Sequence, residues 1–108
     1  MALGFGTLER TKFVTAVSEL ARNTLVHGGG GTMTLMEVSA NGRSGLQVDF
    51  NDTGPGIADV SLALRDGFTT ARSLGLGLGG ARRLVNEFEI TSAPGVGTHV
   101  RIVQWKRR

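Results

Sequence analysis

Cysteine is absent from the 108-residue chain, and only two prolines, one tryptophan and two histidines occur. The lack of cysteine excludes disulfides, thiolate metal sites and a cysteine nucleophile. Two histidines are too few for a histidine-rich metal cluster. The N-terminal residues show no secretory signal, and no stretch approaches the roughly 18 apolar residues that span a bilayer. The sequence therefore predicts a cytoplasmic protein with no membrane partner.

The composition supplies a hydrophobic core and an excess of glycine. Hydrophobic residues make up 40% of the chain and charged residues 19%, which permits a packed core and predicts a single domain over residues 1–108. The 17 glycines are about twice the usual share. The net charge of +3 allows a phosphorylated ligand. Because the charge is scattered as far as the tail Lys106–Arg108, we expect no nucleic-acid partner.

A helix from Thr7 to about His27 opens the predicted fold. Its apolar residues recur at helical spacing and form one broad stripe: Phe13, Val14, Val17, Leu20, Ala21 and Leu25. Glu19 and Asn23 lie one turn apart and largely opposite this stripe. Four glycines, Gly28–Gly31, then end the helix.

Four strands are predicted in two consecutive pairs, and a glycine-containing turn joins each pair. The strands are Thr32–Ala40, Leu46–Asn51, Glu89–Ala93 and Thr98–Trp105. Asn41-Gly42 joins the first pair and Pro94–Gly97 the second. Between the pairs we expect a short helix at Asp59–Leu64 and a longer one from Gly75 to about Phe88. This order favours an α+β fold, in which a mainly antiparallel or mixed sheet carries helices on one face.

The first of three glycine clusters that could surround a ligand is Gly75–Gly80, which opens a helix. Backbone N–H groups at a helix start bind anions, and glycines admit phosphate oxygens. The cluster is not a dinucleotide-binding fingerprint, because no apolar strand precedes it and the expected acidic residue about 20 positions on is missing. Alternatively, these glycines only permit tight packing of helix on sheet.

The other two clusters lie at strand ends. Asp52-x-Gly54-x-Gly56 follows an alternating strand, and the Asp52 carboxylate could accept a hydrogen bond from an exocyclic amine such as N6 of adenine. The alternative is an aspartate that caps its own turn. Gly95-x-Gly97-Thr98 can be interpreted as a plain hairpin loop.

Glu19 and Asn23 are the remaining candidates for chemistry. The amide could hold a hydrated Mg²⁺ ion, and the carboxylate could activate a nucleophile. The alternative is that both residues belong to a solvated helix face.

In this order the motifs resemble the GHKL ATPase superfamily, whose nucleotide pocket is the Bergerat fold. Glu19–Asn23 is similar to its N box, Asp52–Ile57 to its G1 box, Gly75–Gly80 to its G2 box and Gly95–Thr98 to its closing glycine–threonine motif. The resemblance implies a two-layer α/β sandwich with a mixed sheet. The family's opening strand and helix, which precede the N-box helix, are expected to be missing from this chain.

Further stretches are similar to the RsbT-type family of switch-protein serine kinases and anti-sigma-factor kinases. They are Gly4–Thr7, Ser18–Asn23, Asp66–Thr70 and Arg83–Phe88. The resemblance implies that Glu19 is the general base, that Asn23 is the Mg²⁺ ligand and that Asp52 recognises adenine N6.

The same resemblance places the remaining ATP contacts in the glycine clusters. Gly54 and Gly56 would line the base pocket, and Thr98 would support the adenine end. The phosphates would be wrapped by Gly75, Gly77, Leu78 and Gly79. Residues Asp59–Leu74 would form a mobile ATP lid.

The implied function is that of an ATP-dependent protein serine/threonine kinase in a bacterial partner-switching module for stress or sigma-factor regulation. Its phosphoacceptor would be a Ser or Thr hydroxyl on a STAS-domain antagonist, and phosphorylation would free the kinase to bind an activator, often a phosphatase. A first alternative is a non-catalytic ATP-binding module that sequesters a sigma factor or a phosphatase. A second is the catalytic domain of a histidine kinase, which would require a dimerisation helix with its phosphoacceptor histidine.

Overall fold

The computed structural model describes residues 6–26, 28–56 and 78–106. Within these residues the chain forms two helices and four strands. In chain order they are α1 (Thr7–Val26), β1 (Gly31–Ala40), β2 (Arg43–Asp52), α2 (Leu78–Leu84), β3 (Glu87–Ala93) and β4 (Gly97–Trp105). The helix predicted at Asp59–Leu64 and the lid predicted at Asp59–Leu74 lie outside the described residues.

The four strands form one sheet in the order β1-β2-β4-β3, and all three pairings are antiparallel. Asn41 and Gly42 join β1 to β2 with φ angles of 55° and 77°, as a two-residue type I′ hairpin requires. Residues 94–96 join β3 to β4. Such short turns allow only antiparallel pairing of β1 with β2 and of β3 with β4, and β2 also pairs antiparallel with β4. The described strands therefore form the mainly antiparallel sheet that the strand order favoured, and among them no parallel pair of a mixed sheet occurs.

Both described helices pack on the same face of this sheet, as predicted for a two-layer α+β fold. Alternate residues of β2 and β4 point toward the helices and bury their side chains. The buried core consists of Phe13, Ala16, Leu20, Val48, Phe50, Leu78, Ala81, Val100 and Ile102. Neither described helix is both long and apolar enough to cross a membrane.

The core-facing stripe of α1 is narrower than the sequence predicted. Leu20 is buried, but Val14 is 54% exposed and Leu25 is 69% exposed. Thr24 is buried in the stripe because its Oγ1 donates a hydrogen bond to the Leu20 carbonyl at 3.1 Å. The prediction for Val14 and Leu25 was wrong because a helix buries only the arc that touches the sheet, whatever the hydrophobicity beside it.

Helix α2 also ends earlier than predicted, at Leu84 rather than near Phe88. The backbone N–H of Asn86 donates to Gln104 Oε1 at 2.9 Å, and Asn86 Oδ1 accepts from the backbone N–H of Trp105 at 2.7 Å. These bonds tie the chain to β4, so Phe88 lies in β3 and packs against the core.

Candidate functional site

Two of the predicted motifs meet at one end of the sheet. Asp52 ends β2 and pairs with Thr98 near the start of β4. The backbone N–H of Gly95 donates to the Pro55 carbonyl at 2.8 Å, which links the two loops directly. The loop at Asp52–Gly56 and the turn at Gly95–Thr98 therefore lie side by side, as a shared nucleotide site requires.

Glycine is needed in both loops because their backbones touch. Gly97 has a φ of +129°, and a Cβ atom there would strike the Asp52 carbonyl. A Cβ atom at Gly56, with φ of +77°, would strike the Ala93 carbonyl. Positive φ and close approach together make glycine necessary at these two positions. Sequence reasoning assigned Gly56 to the base pocket and did not identify this packing role.

Gly97→Ala is therefore expected to lower the free energy of unfolding by at least about 2 kcal/mol, since backbone strain and overpacking each cost about 1–3 kcal/mol. Gly30→Ala is the matched control, because Gly30 also has a large positive φ (+108°) but a Cβ atom there would meet nothing within 4 Å. Urea unfolding of both variants measures the difference. Equal losses of unfolding free energy in the two variants would show that the contact between the loops does not contribute to stability.

The C-terminal end of α1 reaches the same end of the sheet. The backbone N–H of Gly28 donates to the Asn23 carbonyl at 3.0 Å as the chain leaves the helix. A Cβ atom at Gly28 would lie 2.5 Å from Asp52 Oδ2, and one at Gly54 would lie 2.7 Å from the Gly28 Cα. The end of the N-box helix thus packs directly on the Asp52 loop.

The half-buried Asp52 carboxylate has one oxygen engaged and one available. Oδ1 accepts a hydrogen bond from the Gly54 backbone N–H at 2.9 Å, so the turn-capping alternative is present in the structure. Oδ2 faces Gly28 and has no hydrogen-bond partner among the described residues. Capping of the turn by Oδ1 and acceptance of a ligand hydrogen bond by Oδ2 are therefore compatible.

The Thr98 hydroxyl is held beside Asp52 by a residue that sequence reasoning missed. Ser92 Oγ donates to the Gly97 carbonyl at 3.0 Å and lies 2.8 Å from Thr98 Oγ1. Because Ser92 has a single hydroxyl hydrogen, Thr98 donates to Ser92 in this arrangement and keeps its lone pairs as acceptors. Only the pairing of β3 with β4 brings the two hydroxyls together.

Glu19 and Asn23 differ in their surroundings although they share a helix face. Glu19 Oε1 lies 3.9 Å from Arg22 Nη2, and the two side chains are 40% and 65% exposed, so this ion pair contributes little. The Oδ1 atom of Asn23 is buried, and an amide oxygen suits Mg²⁺. Glu19 therefore lies on a solvated helix face, as the alternative interpretation expects, whereas the buried amide oxygen of Asn23 does not fit that interpretation.

Part of the predicted phosphate loop lies in the described residues. Leu78 and Gly79 begin α2, and both are buried. The Leu78 side chain belongs to the core, so only its backbone could contact a ligand. Gly75 and Gly77 lie outside the described residues.

A buried carboxylate that sequence reasoning did not single out lies on the sheet face opposite the described helices. Asp49 is 9% exposed, and its Oδ1 accepts from Arg101 Nε and His99 Nε2, both at 2.8 Å. Its Oδ2 accepts from Gln47 Nε2 at 3.0 Å. Burial raises the pKa of Asp49, but these hydrogen bonds and the Arg101 charge outweigh it and hold the pKa below its usual value. The cluster therefore clamps β2 to β4 next to the Asp52–Thr98 pair.

Acidification is expected to remove the stabilisation that the Asp49 carboxylate contributes to the fold. Because the pKa of Asp49 is lower in the folded chain, its stabilisation is complete above the unfolded pKa of about 3.9 and is lost as the pH falls through the folded pKa. Urea unfolding from about pH 7 to pH 2 should show a steeper acid loss in the parent than in Asp49→Asn. Glu37→Gln, at an exposed position in β1, is the control. Parallel profiles for parent and Asp49→Asn would contradict the assignment.

Comparison with known proteins agrees with this arrangement. Residues 9–108 match the family model described as histidine kinase-, DNA gyrase B- and HSP90-like ATPase. The chain is 42% identical over 105 residues to the serine/threonine-protein kinase RsbT of Bacillus subtilis (strain 168), and the match covers 97% of this chain and 79% of that protein.

Two anti-sigma F factors are also similar. The chain is 31% identical over 96 residues to the anti-sigma F factor of Thermoanaerobacter sp. (strain X514). It is 30% identical over 95 residues to the anti-sigma F factor of Caldanaerobacter subterraneus subsp. tengcongensis. Each match covers 84% of this chain and 66% of the relative. The Asp52 loop, the Gly95–Thr98 turn and the end of α1 meet at one end of the sheet. Since the family match also spans nearly the whole chain, the chain belongs to the family of histidine kinase-, DNA gyrase B- and HSP90-like ATPases.

Proposed function

We propose that this chain is a serine/threonine-protein kinase of a bacterial partner-switching module and that it phosphorylates a hydroxyl of a STAS-domain antagonist. The observation that carries the proposal is the 42% identity to the kinase RsbT across 97% of the chain. The meeting of the Asp52 loop, Thr98 and the end of α1 at one site supports it independently.

Asp52 is proposed to select adenine. Its Oδ2 atom has no partner among the described residues and can accept a hydrogen bond from the N6 amine. Guanine carries a carbonyl oxygen at the corresponding ring position, which a carboxylate would repel. The backbones at Gly54 and Gly56 would border the base, and the Thr98 hydroxyl would support it through its acceptor lone pairs.

Asn23 is proposed to hold Mg²⁺ through its buried Oδ1 atom. When bound, the ion would neutralise charge on the phosphates, which is the main requirement of phosphoryl transfer. The backbone groups at Gly75, Gly77, Leu78 and Gly79 would surround the phosphates.

Glu19 is proposed to be the general base. Its side chain is 40% exposed, so a hydroxyl of a docked partner can reach it, and it lies one turn before Asn23 on α1. As the hydroxyl oxygen bonds to the γ-phosphorus and the bond to ADP breaks, Glu19 would accept the proton that the hydroxyl loses.

The similarity to anti-sigma F factors, at 31% identity, favours a second candidate function. In that case the chain binds ATP and acts by sequestering a partner such as a sigma factor, or a phosphatase, without needing turnover.

The deciding experiment is transfer of label from γ-labelled ATP to a candidate STAS-domain protein in the presence of Mg²⁺. A kinase of the proposed kind yields acid-stable label on Ser or Thr. Tight partner binding without label supports the sequestering function. Acid-labile label on histidine would instead support the histidine-kinase alternative and contradict the proposal.

A further inference from the structure

A cleft of about 420 Å³ lies at the end of the sheet that is opposite the nucleotide site. It is lined by Ala40, Asn41, Arg43, Asn86, Glu87 and Trp105. Strand β2 runs from Arg43 at this cleft to Asp52 at the nucleotide site, a distance of roughly 30 Å for ten extended residues. The cleft is therefore separate from the nucleotide site.

Trp105 lines the cleft, and contacts with Gly45, Glu87 and Asn86 hold it in place. Its indole lies against Gly45, where a Cβ atom would come within 2.8 Å of ring atom Cε3. The indole Nε1 donates to Glu87 Oε2 at 2.6 Å, and the backbone N–H donates to Asn86. A half-exposed tryptophan that is already ordered loses little entropy when a partner covers it.

Arg43 stands beside this indole with most of its donors unused. Its guanidinium carbon lies 5.9 Å from the ring centroid, within the range of a cation–π contact. Among the described residues its hydrogen bonding is limited to a long contact from Nη2 to the Lys106 carbonyl at 3.4 Å, and Nε is buried without a partner. No described carboxylate pairs with Arg43. A guanidinium in this state is suited to a carboxylate ligand.

The charges around the cleft specify the ligand further. Lys106 is exposed next to Arg43 and adds a second positive charge. Among the described residues that line the cleft, Glu87 is the one acidic side chain, and it accepts the indole N–H. A ligand with a carboxylate near Arg43 meets positive charge there, whereas a second carboxylate over the indole would approach Glu87. The surface thus favours one acidic group flanked by apolar ones.

We propose that this cleft is a docking site for a segment of a partner protein that places an Asp or Glu side chain against Arg43 and an adjacent apolar side chain against Trp105. The cleft volume accommodates a few side chains. The apolar indole ring of Trp105 is best covered by an apolar group, which a simple anion does not have. The partner therefore engages the chain at a second surface, remote from the γ-phosphate.

Trp105 is the single tryptophan of the chain, so intrinsic fluorescence reports on the cleft directly. The full chain is titrated with the blocked peptide Ala-Leu-Glu-Leu-Ala, and the same peptide with Gln for Glu is the matched control. A saturable change is expected, with binding of the Glu peptide about three- to fivefold tighter than that of the Gln peptide, as for an exposed ion pair. Saturating Mg²⁺-ATP should not displace the peptide.

Arg43→Gln is expected to remove the difference between the two peptides, whereas Lys12→Gln, which removes a positive charge from α1, should preserve it. Equal affinity of the parent for both peptides would overturn the proposal, as would the lack of a saturable signal. The same saturable change with sodium acetate alone would show a small-anion site and would also overturn it. These tests on the parent chain stand even if Arg43→Gln fails to fold.

Discussion

Replacing Glu19 by glutamine is expected to lower the rate of phosphoryl transfer to the partner by about 10²–10⁴-fold, the usual contribution of a general base. Glutamine preserves the shape of the side chain but cannot accept a proton. Glu19 approaches Arg22 only at 3.9 Å, so the loss of this exposed ion pair should cost little stability. ATP affinity, measured by calorimetry, should remain nearly unchanged while label transfer is lost.

Two further variants test whether the loss of phosphoryl transfer is specific to Glu19. Glu37→Gln removes an exposed carboxylate from β1 and should transfer phosphate at the parent rate. Asn23→Ala should lose Mg²⁺-dependent nucleotide affinity, because it removes the proposed metal ligand rather than the base. If Glu19→Gln phosphorylates the partner as fast as the parent does, then Glu19 belongs to a solvated helix face and the base must be sought elsewhere.

Asp52→Asn is expected to weaken ATP binding by about ten- to hundredfold, since loss of a hydrogen bond to a charged group costs about 1.5–3 kcal/mol. An asparagine amide oxygen can still accept from the Gly54 backbone N–H, as Oδ1 does now at 2.9 Å. The turn should therefore persist, and the loss of affinity should reflect only the lost contact with adenine. Calorimetric titration with ATP measures it.

The same titration with GTP tests the selectivity that Asp52 is proposed to confer. The parent should prefer ATP, and Asp52→Asn should narrow that preference. With its amide oxygen bonded to Gly54, the variant would present an NH2 group that can donate to the guanine carbonyl but cannot accept from the adenine amine. A parent that binds ATP and GTP equally, or a variant with unchanged ATP affinity, would refute the role of Asp52. Thermal unfolding of the variant checks that the fold is retained.

Short-range signals were enough to predict most of the secondary structure. Asn41-Gly42 predicted a hairpin because its two residues accept positive φ, and the structure has this turn. The alternation of Leu46–Asn51 predicted a strand with one buried face, and Val48 and Phe50 are buried. The failures were of a different kind. Leu25 lies outside the arc of α1 that meets the sheet, and Asn86 leaves the helical path because it bonds to β4.

In the candidate site, too, the sequence predicted the local motifs but not the contacts between distant residues. Motif order alone pointed to the ATPase family and to Glu19, Asn23, Asp52 and the glycine clusters, because each motif is a local arrangement of a few residues. The sequence could not indicate that Ser92 positions Thr98, since this depends on how β3 pairs with β4.

By itself the amino-acid sequence determined helix α1, the two strand pairs and the family, because periodicity, turn chemistry and short motifs act over a few neighbouring residues. The tertiary structure decided which distant groups touch. It placed Arg101 on Asp49, 52 positions away, set Gly97 against the Asp52 carbonyl, and brought Arg43 beside Trp105. Those contacts follow from the register of β2 against β4 and from backbone approach between loops. No short turn joins β2 to β4, so local turn chemistry could not predict that register.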